Sequence, residues 1–257
     1  MKTIEMSGKK VEIYDSIDEM PVIRFHRYNK MQLVDAGIGS GLDDVARHIE
    51  RAICYARSKT PELAAVELEN LRQNIHFIHS GVSPSHLSFA ALVRSIDGKL
   101  CDDLSDEGLQ RVADTLSDVT NSVMTAEIEA VKKKTDEELR IYFPKIFDDA
   151  SMKEYYDMLR RRTLILLDTI SEGESTEAQE KEMDELHVDM ITYFNPQTFH
   201  GAKSVEVSYD KHFETMCLSL SQHIHVNPKK FTVLEYYNAY EYMRQMAREM
   251  KQLGKKR

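Results

Sequence analysis

Basic and aromatic side chains alternate in one short stretch of the sequence. The basic residues are Arg24, His26, Arg27 and Lys30, and the aromatic residues between them are Phe25 and Tyr28. Bases stack on aromatic rings and phosphates pair with cations, so this stretch could bind nucleic acid. The arginines could instead pair with carboxylates of a neighbouring subunit, and a solvated basic face is a third interpretation. Because the chain carries a formal charge of −9, we favour the protein contact.

Three glycines, Gly37, Gly39 and Gly41, follow this stretch. Glycine-rich loops can hold phosphates, but a phosphate loop follows a strand and continues into Gly-Lys-Ser/Thr. Neither condition is met, because the residues before Gly37 have the spacing of a helix. The motif therefore predicts that one helix ends at Gly37 and that Ser40 caps the next.

Residue types that bind metals occur in two groups. The groups are His76, His79 and His86, and Cys217, His223 and His225. The first group lacks the His-Glu-x-x-His pattern, and the alternating histidines of the second suit a strand better than a helix. We interpret both as structural or surface residues, and we expect no metal and no other cofactor.

Paired aspartates could be catalytic acids or Mg²⁺ ligands. They are Asp43-Asp44, Asp102-Asp103 and Asp148-Asp149. Each pair precedes or begins a predicted helix, where a carboxylate stabilises the positive end of the helix dipole, so capping is the favoured role. A nucleophile elbow and a Cys/His catalytic signature are both missing from the sequence. The sequence therefore predicts a protein that is not an enzyme.

Composition limits the fold and the compartment. Ten Gly and six Pro in 257 residues are too few turn formers for an all-β sandwich or barrel. Cys54, Cys101 and Cys217 are scattered and odd in number, which indicates a reducing compartment without a disulfide framework. The start of the chain lacks the apolar core of a signal peptide, and the apolar run 164–167 is too short to span a bilayer.

The apolar pattern predicts the elements that must position these residues. Residues 2–14 alternate around a turn and indicate a hairpin, which is marginal alone and needs a body or a neighbour. Apolar residues at helical spacing form seams over 64–78 and 109–130, which predict the contacts of a bundle. Residues 84–96 predict a shorter helix, and 204–207 could form a short strand. The expected fold is mainly α, a helical bundle with a small N-terminal β-hairpin arm.

The seams and one linker-like segment divide the chain into three predicted parts. Residues 1–20 form the hairpin arm, 21–172 the helical bundle core, and 173–257 a C-terminal helical region, although one continuous domain is the alternative. Residues 172–189 are strongly acidic, which indicates a solvated face or a surface that repels DNA. The chain ends in a basic tail, Lys255, Lys256 and Arg257, which we expect to contact a subunit or partner by charge pairing.

A resemblance to a known family is carried by two stretches after the hairpin. They are Asp15-Ser-Ile-Asp-Glu-Met-Pro-Val-Ile-Arg-Phe-His-Arg-Tyr-Asn-Lys30 and Asp35-Ala-Gly-Ile-Gly-Ser40. With the hairpin they resemble the start of virion proteins of the crAss-like tailed bacteriophages that infect gut Bacteroides. The likeness is specific over residues 1–45 and general over the helical remainder, although 231–237 also resembles phage structural proteins.

The resemblance implies a head–tail connector, a ring or adaptor protein of the virion that assembles in the host cytoplasm. Such a ring would hold about twelve copies, dock on the portal, contact neighbouring tail or ring proteins and let DNA pass without sequence-specific binding. From the basic and aromatic stretch and the chain end, the residues that we predict to contact a subunit or the portal are Arg24, Phe25, His26, Arg27, Tyr28, Lys30 and the basic tail. The alternatives are a tail assembly or cargo protein, and a helical phage enzyme or regulator with a cryptic metal site.

Overall fold

The computed structural model describes residues 1–81, 83–119, 121–147, 153–172, 175–193 and 195–254. Helices make up 70% of the structure, about twice the share in an average globular protein. An antiparallel hairpin begins the chain. The predicted fold class, mainly α with a small N-terminal hairpin, is confirmed. Within the described residues, every helix is too short or too polar to cross a membrane.

The elements follow one another in a helix-rich order with two short hairpins. The strands are β1 (Lys2–Met6), β2 (Lys9–Ile13), β3 (Val93–Ile96) and β4 (Lys99–Leu100). The helices are α1 (Val22–Gly37), α2 (Leu42–Arg57), α3 (Leu63–Ser80), α4 (Pro84–Leu92), α5 (Asp106–Thr115), α6 (Asn121–Tyr142), α7 (Pro144–Phe147), α8 (Lys153–Glu172), α9 (Glu177–Thr192), α10 (Val205–Ile224) and α11 (Val233–Gly254), and a 3-10 turn spans Pro228–Lys230.

The strands form one antiparallel sheet in the order β1-β2-β3-β4. In β2, Val11 pairs with Ile96 of β3, and a register shift follows between Glu12 and Ile13. The prediction that residues 93–96 continue a helix is therefore wrong. Their apolar spacing also fits a buried strand, and pairing with β2, far away in the chain, selects the strand. The suggested strand at 204–207 is wrong as well, since the Ser204 hydroxyl caps α10 by accepting from the Val207 amide.

The hairpin belongs to the main hydrophobic core. Val11 and Ile13 are fully buried, and Met6 joins them. The same core contains Ile128 of α6 and Val233 of α11, so it draws on all three predicted parts of the chain. This sharing favours the single-domain alternative. Of the two supports expected for the hairpin, a body or a neighbour, the chain's own body is the one that the structure shows.

The predicted seam at 109–130 is interrupted between α5 and α6. Leu109, Val112, Leu116 and Val119 are buried as expected, but Val123 is exposed. The break after α5 changes the phase of the helix, and α6 presents Met124, Ile128 and Val131 to the core instead. A helix start predicted at Thr135 is also wrong, because α6 continues through it and its hydroxyl donates to the Val131 carbonyl.

Candidate interaction site

Helix α1 is the element that carries most of the predicted contact residues. Its first amide, that of Val22, donates to the Phe231 carbonyl, and Pro21 and Thr232 form an isolated bridge. The helix contacts α4 on one side and α10 and α11 on another. The residues it buries are Val22, Arg24, Phe25, His26, Tyr28, Met31 and Val34. Helix α1 is thus enclosed by other elements of its own chain.

Arg24 is a buried cation held by backbone oxygens of its own chain, with 3% of its surface exposed. Its Nη1 donates to the carbonyls of Val93 at 2.8 Å and Ala91 at 3.3 Å, and its Nη2 donates to the Cys101 carbonyl. The Asp102 carboxylate lies 3.3 Å away. The guanidinium therefore ties α1 to the end of α4 and to β3. The carbonyls predicted on a neighbouring subunit are found within the chain.

Arg27 and Lys30 lie nearer the surface and also have intramolecular partners. Arg27 binds Asp106, whose side chain is largely exposed, and Lys30 Nζ lies 2.6 Å from Asp210 Oδ2. A subunit or portal contact by these residues stays a prediction. The other predicted contact residues, Lys255, Lys256 and Arg257, lie outside the described residues.

His26 connects α1 to α10 through stacking and a hydrogen bond. Its ring stacks on Tyr209 at 4.6 Å and on Phe213 at 4.1 Å, between ring centroids. Its Nε2 lies 2.9 Å from Asp210 Oδ1. Burial lowers the pKa of His26, and the hydrogen bond to Asp210 opposes this effect. The net result favours the neutral imidazole in the folded protein.

Replacing His26 by glutamine should make the protein less sensitive to acid. A histidine whose pKa is lowered by folding binds protons more readily when unfolded, so its contribution to stability falls as pH drops below its ordinary pKa of 6.5. Glutamine does not titrate, so the variant should lose less free energy of unfolding on acidification from about pH 7 to pH 5. Urea unfolding across this range measures the slope, and exposed His79→Gln is the control. Equal slopes for His26→Gln and wild type would contradict the prediction.

An aromatic cleft of about 250 Å³ opens beside His26. Burial raises the pKa of Tyr237 to about 12 and also raises that of Tyr209 and Tyr236. These phenols are therefore neutral and present ring faces and hydroxyls. The cleft is lined by Val22, Phe25, His26, Ile146, Tyr209, His212, Phe213, Met216, Tyr236, Tyr237 and Tyr240.

Gly39 of the glycine motif lines a separate polar cavity of about 380 Å³, together with Asp35, Arg47 and His86. Asp44 Oδ2 accepts from the amides of Ser40 at 3.0 Å and Gly41 at 2.9 Å. These amides are thus already occupied, which agrees with the helix-end interpretation of the motif. Gly41 is the cap residue of α2, so the prediction that Ser40 caps it is wrong. Burial raises the pKa of Asp35, and nearby Asp44 adds to this effect.

The metal-type residues and the paired aspartates are found mostly at helix surfaces and helix starts. Within the described ranges, no three His, Cys, Asp or Glu side chains are placed to hold a metal ion together. Asp43 and Asp44 lie in the first turn of α2. Asp103 accepts from the Ser105 amide just before α5. The helix-start role is confirmed for Asp43-Asp44. Ser105 caps α5 and Asp102 pairs with Arg24, so capping is not confirmed for Asp102-Asp103, and Asp148-Asp149 lies outside the described residues.

Helix α3 has its polar side inside and much of its apolar side outside. Glu67, Asn70 and Asn74 are buried. The apolar seam of α3, predicted to lie in the core, comprises Ala64, Leu68, Leu71, Ile75 and Ile78. Leu68 is 54% exposed, Ile75 43% and Ile78 37%, so the core prediction for this seam is wrong.

A polar network explains why α3 turns this way. The imidazole of His48 is fully buried, with Nδ1 2.8 Å from Glu67 Oε2 and Nε2 2.8 Å from the Ile38 carbonyl. Asn74 Nδ2 donates to the same carbonyl at 3.2 Å, and Arg51 Nε lies 3.0 Å from Glu67 Oε1. These residues were not among those predicted from the sequence. The signal was present, because Glu67, Asn70 and Asn74 have helical spacing and form a polar stripe beside the apolar one.

Three features stand out in the described structure. They are helix α1, whose side chains bind other parts of the same chain, the aromatic cleft beside His26, and the apolar seam of α3 that faces outward. Comparisons of the chain with protein-family models, with curated proteins and with solved structures find no match.

Proposed function

We propose that this chain is a non-enzymatic structural subunit of a homo-oligomeric ring, the head-to-tail connector of a tailed phage. The observation that carries the proposal is the outward apolar seam of α3. A helix of a protein that functions alone normally buries its apolar stripe and exposes its polar one. In α3 the charged Glu67 is 1% exposed while Leu68 beside it is 54% exposed.

The arrangement of α3 makes physical sense when both faces of the helix are covered. Burying a polar group is tolerated when it is hydrogen-bonded, as Glu67 and Asn74 are. Covering a large aliphatic side chain contributes about 1.5–3 kcal/mol relative to leaving it exposed. The seam therefore offers Leu68, Ile75 and Ile78 to another copy of the chain or to the next protein of the assembly.

The finer identity of the ring rests on the resemblance of residues 1–45 to virion proteins of crAss-like phages. The net charge of −9 supports a passage for DNA, since fixed negative charge does not hold phosphates. We propose that the ring docks on the portal and contacts neighbouring tail or ring proteins. Of the contact residues predicted on α1, Arg27 and Lys30 are the ones that are not buried, so they are the ones we assign to such a contact.

Charges placed in the α3 seam should break up the assembly and leave the subunit folded. Leu68→Glu combined with Ile75→Glu puts two carboxylates where an apolar contact is proposed, and desolvating them is strongly unfavourable. We expect wild type to form oligomers, alone or with portal, and the double variant to have the mass of a monomer. Light scattering measures the mass, and circular dichroism checks the fold.

The matched control changes charge on exposed positions outside the seam, Gln245→Glu with Arg248→Glu on α11. It should assemble as wild type does. A wild-type chain that stays monomeric with portal present would overturn the ring proposal. A Leu68→Glu, Ile75→Glu variant that assembles normally would remove α3 from the contact.

A further inference from the structure

Helix α8 carries an exposed apolar stripe with the spacing of a coiled-coil seam. The stripe consists of Leu159, Thr163, Leu166 and Ile170, separated by four, three and four residues, and Leu167 adjoins it. Ile170 is 76% exposed and Leu167 55%. The buried side of the same helix, which includes Ile165, is a different one, and α8 contacts α9. Within the described structure, the α8 stripe faces outward.

Helix α2 carries a second stripe with matching spacing. It consists of Leu42, Ala46, Ile49, Ile53 and Ala56, separated by four, three, four and three residues. All five are exposed, while His48, Ala52 and Tyr55 on another side of α2 are buried. Repeats of three and four residues are what two helices need to interlock side chains along a shared seam.

We propose that the α8 stripe of one copy packs against the α2 stripe of the next copy. The inference rests on the proposed function and names a second contact, in addition to that of the α3 seam, between neighbouring subunits of the ring. Within a chain, α9 lies against both α2 and α8. One chain therefore offers two different apolar stripes, each of which a second copy can cover.

The charged residues next to the stripes favour pairing of α2 with α8 over pairing of either stripe with itself. One side of the α2 stripe carries Asp43, Glu50 and Arg57 at seven-residue spacing, all exposed, and Glu50 also pairs with His187. Arg160 and Arg162 flank the α8 stripe. Two α8 stripes would bring guanidinium groups together, whereas the α2 row has an excess of carboxylates. The α2–α8 pair places opposite charges beside the seam, as flanking positions do in specific coiled coils.

Pairing of unlike surfaces has a geometric consequence for the assembly. A contact between two identical patches closes a dimer and stops there. A head-to-tail contact leaves a free α2 stripe at one end and a free α8 stripe at the other, so it adds further copies and forms a ring when its rotation closes. This is the symmetry that a connector ring requires.

Cysteines at the centres of the two stripes test the pairing. Ile49→Cys and Leu166→Cys are each introduced into a chain that also carries Cys101→Ser, since Cys54 and Cys217 are buried. Both central positions should face each other whether the helices run parallel or antiparallel. After mild oxidation, we expect a linked dimer when the two variants are mixed and none with either variant alone, because a disulfide needs Cα atoms within about 7 Å.

A chain that carries both substitutions should give a ladder of linked multimers on a denaturing gel. Linkage of either single variant to itself would overturn the unlike pairing. A link within one chain would mean that α8 folds onto its own α2, which also overturns it. Oligomers by light scattering without any link would refute this contact and leave the ring proposal standing, whereas monomers would refute the ring itself.

Discussion

Arg24→Ala should destabilise the folded chain by about 3–5 kcal/mol, the range found when one partner of a buried charge network is removed. The side chain is 3% exposed and donates to three carbonyls, those of Ala91, Val93 and Cys101. Alanine would leave these oxygens without their donor. Each unsatisfied buried group costs about 1–3 kcal/mol.

The measurement is urea unfolding of the purified protein followed by circular dichroism. Arg27→Ala is the matched control, from the same turn of the same helix. Its partner Asp106 is 80% exposed, so the pair is worth about 0–1 kcal/mol. Arg24→Lys keeps the charge but lacks the planar guanidinium that reaches several carbonyls. The free energy of unfolding of this variant should therefore remain well below that of wild type.

The Arg24 result also decides between two roles for this residue. A subunit-contact role predicts that Arg24→Ala keeps its stability and loses assembly. The intramolecular contacts predict instead that the main effect of Arg24→Ala is a loss of folding stability. An Arg24→Ala variant that unfolds at the wild-type urea midpoint but fails to assemble would therefore restore the interface role.

Removal of residues 1–14 should abolish folding, the second large effect we expect. Val11 and Ile13 are fully buried and Met6 nearly so. Burial of such side chains contributes about 1.5–3 kcal/mol each, and a domain is stable by about 5–15 kcal/mol in total. The deletion would also expose the edge of β3, which pairs with β2. This expectation reverses the one drawn from the sequence, in which the hairpin was a removable arm.

Point substitutions show whether the destabilisation comes from lost core contacts or from the removal of a length of chain. Ile13→Ala should cost about 2–5 kcal/mol, as large-to-small changes in a core do. Glu5→Ala, at an exposed position of β1, should be within about 0.5 kcal/mol of wild type. Thermal and urea unfolding measure both. A truncated chain that unfolds cooperatively with wild-type stability would show that the hairpin is an arm after all.

Local chemistry was enough to predict several elements. The hairpin at residues 2–14 follows from alternation around a turn, and the end of α1 follows from Gly37 and Gly39, the second of which has a positive φ. The Asp43-Asp44 pair marks the start of α2. These features depend on neighbours a few residues away, so the sequence contains them directly.

The sequence by itself determined the mainly helical fold class, the hairpin and the importance of α1, because periodicity and turn chemistry are local. The tertiary structure alone decided what each surface faces. Residues 93–96 became a strand because β2 lies beside them, and Arg24 turned inward because three carbonyls meet there. The α3 seam faces outward because His48, 19 residues before Glu67, supplies the polar partner that holds the other side inside. Such contacts join distant parts of the chain, and helical spacing alone does not specify which stripe of a helix they cover.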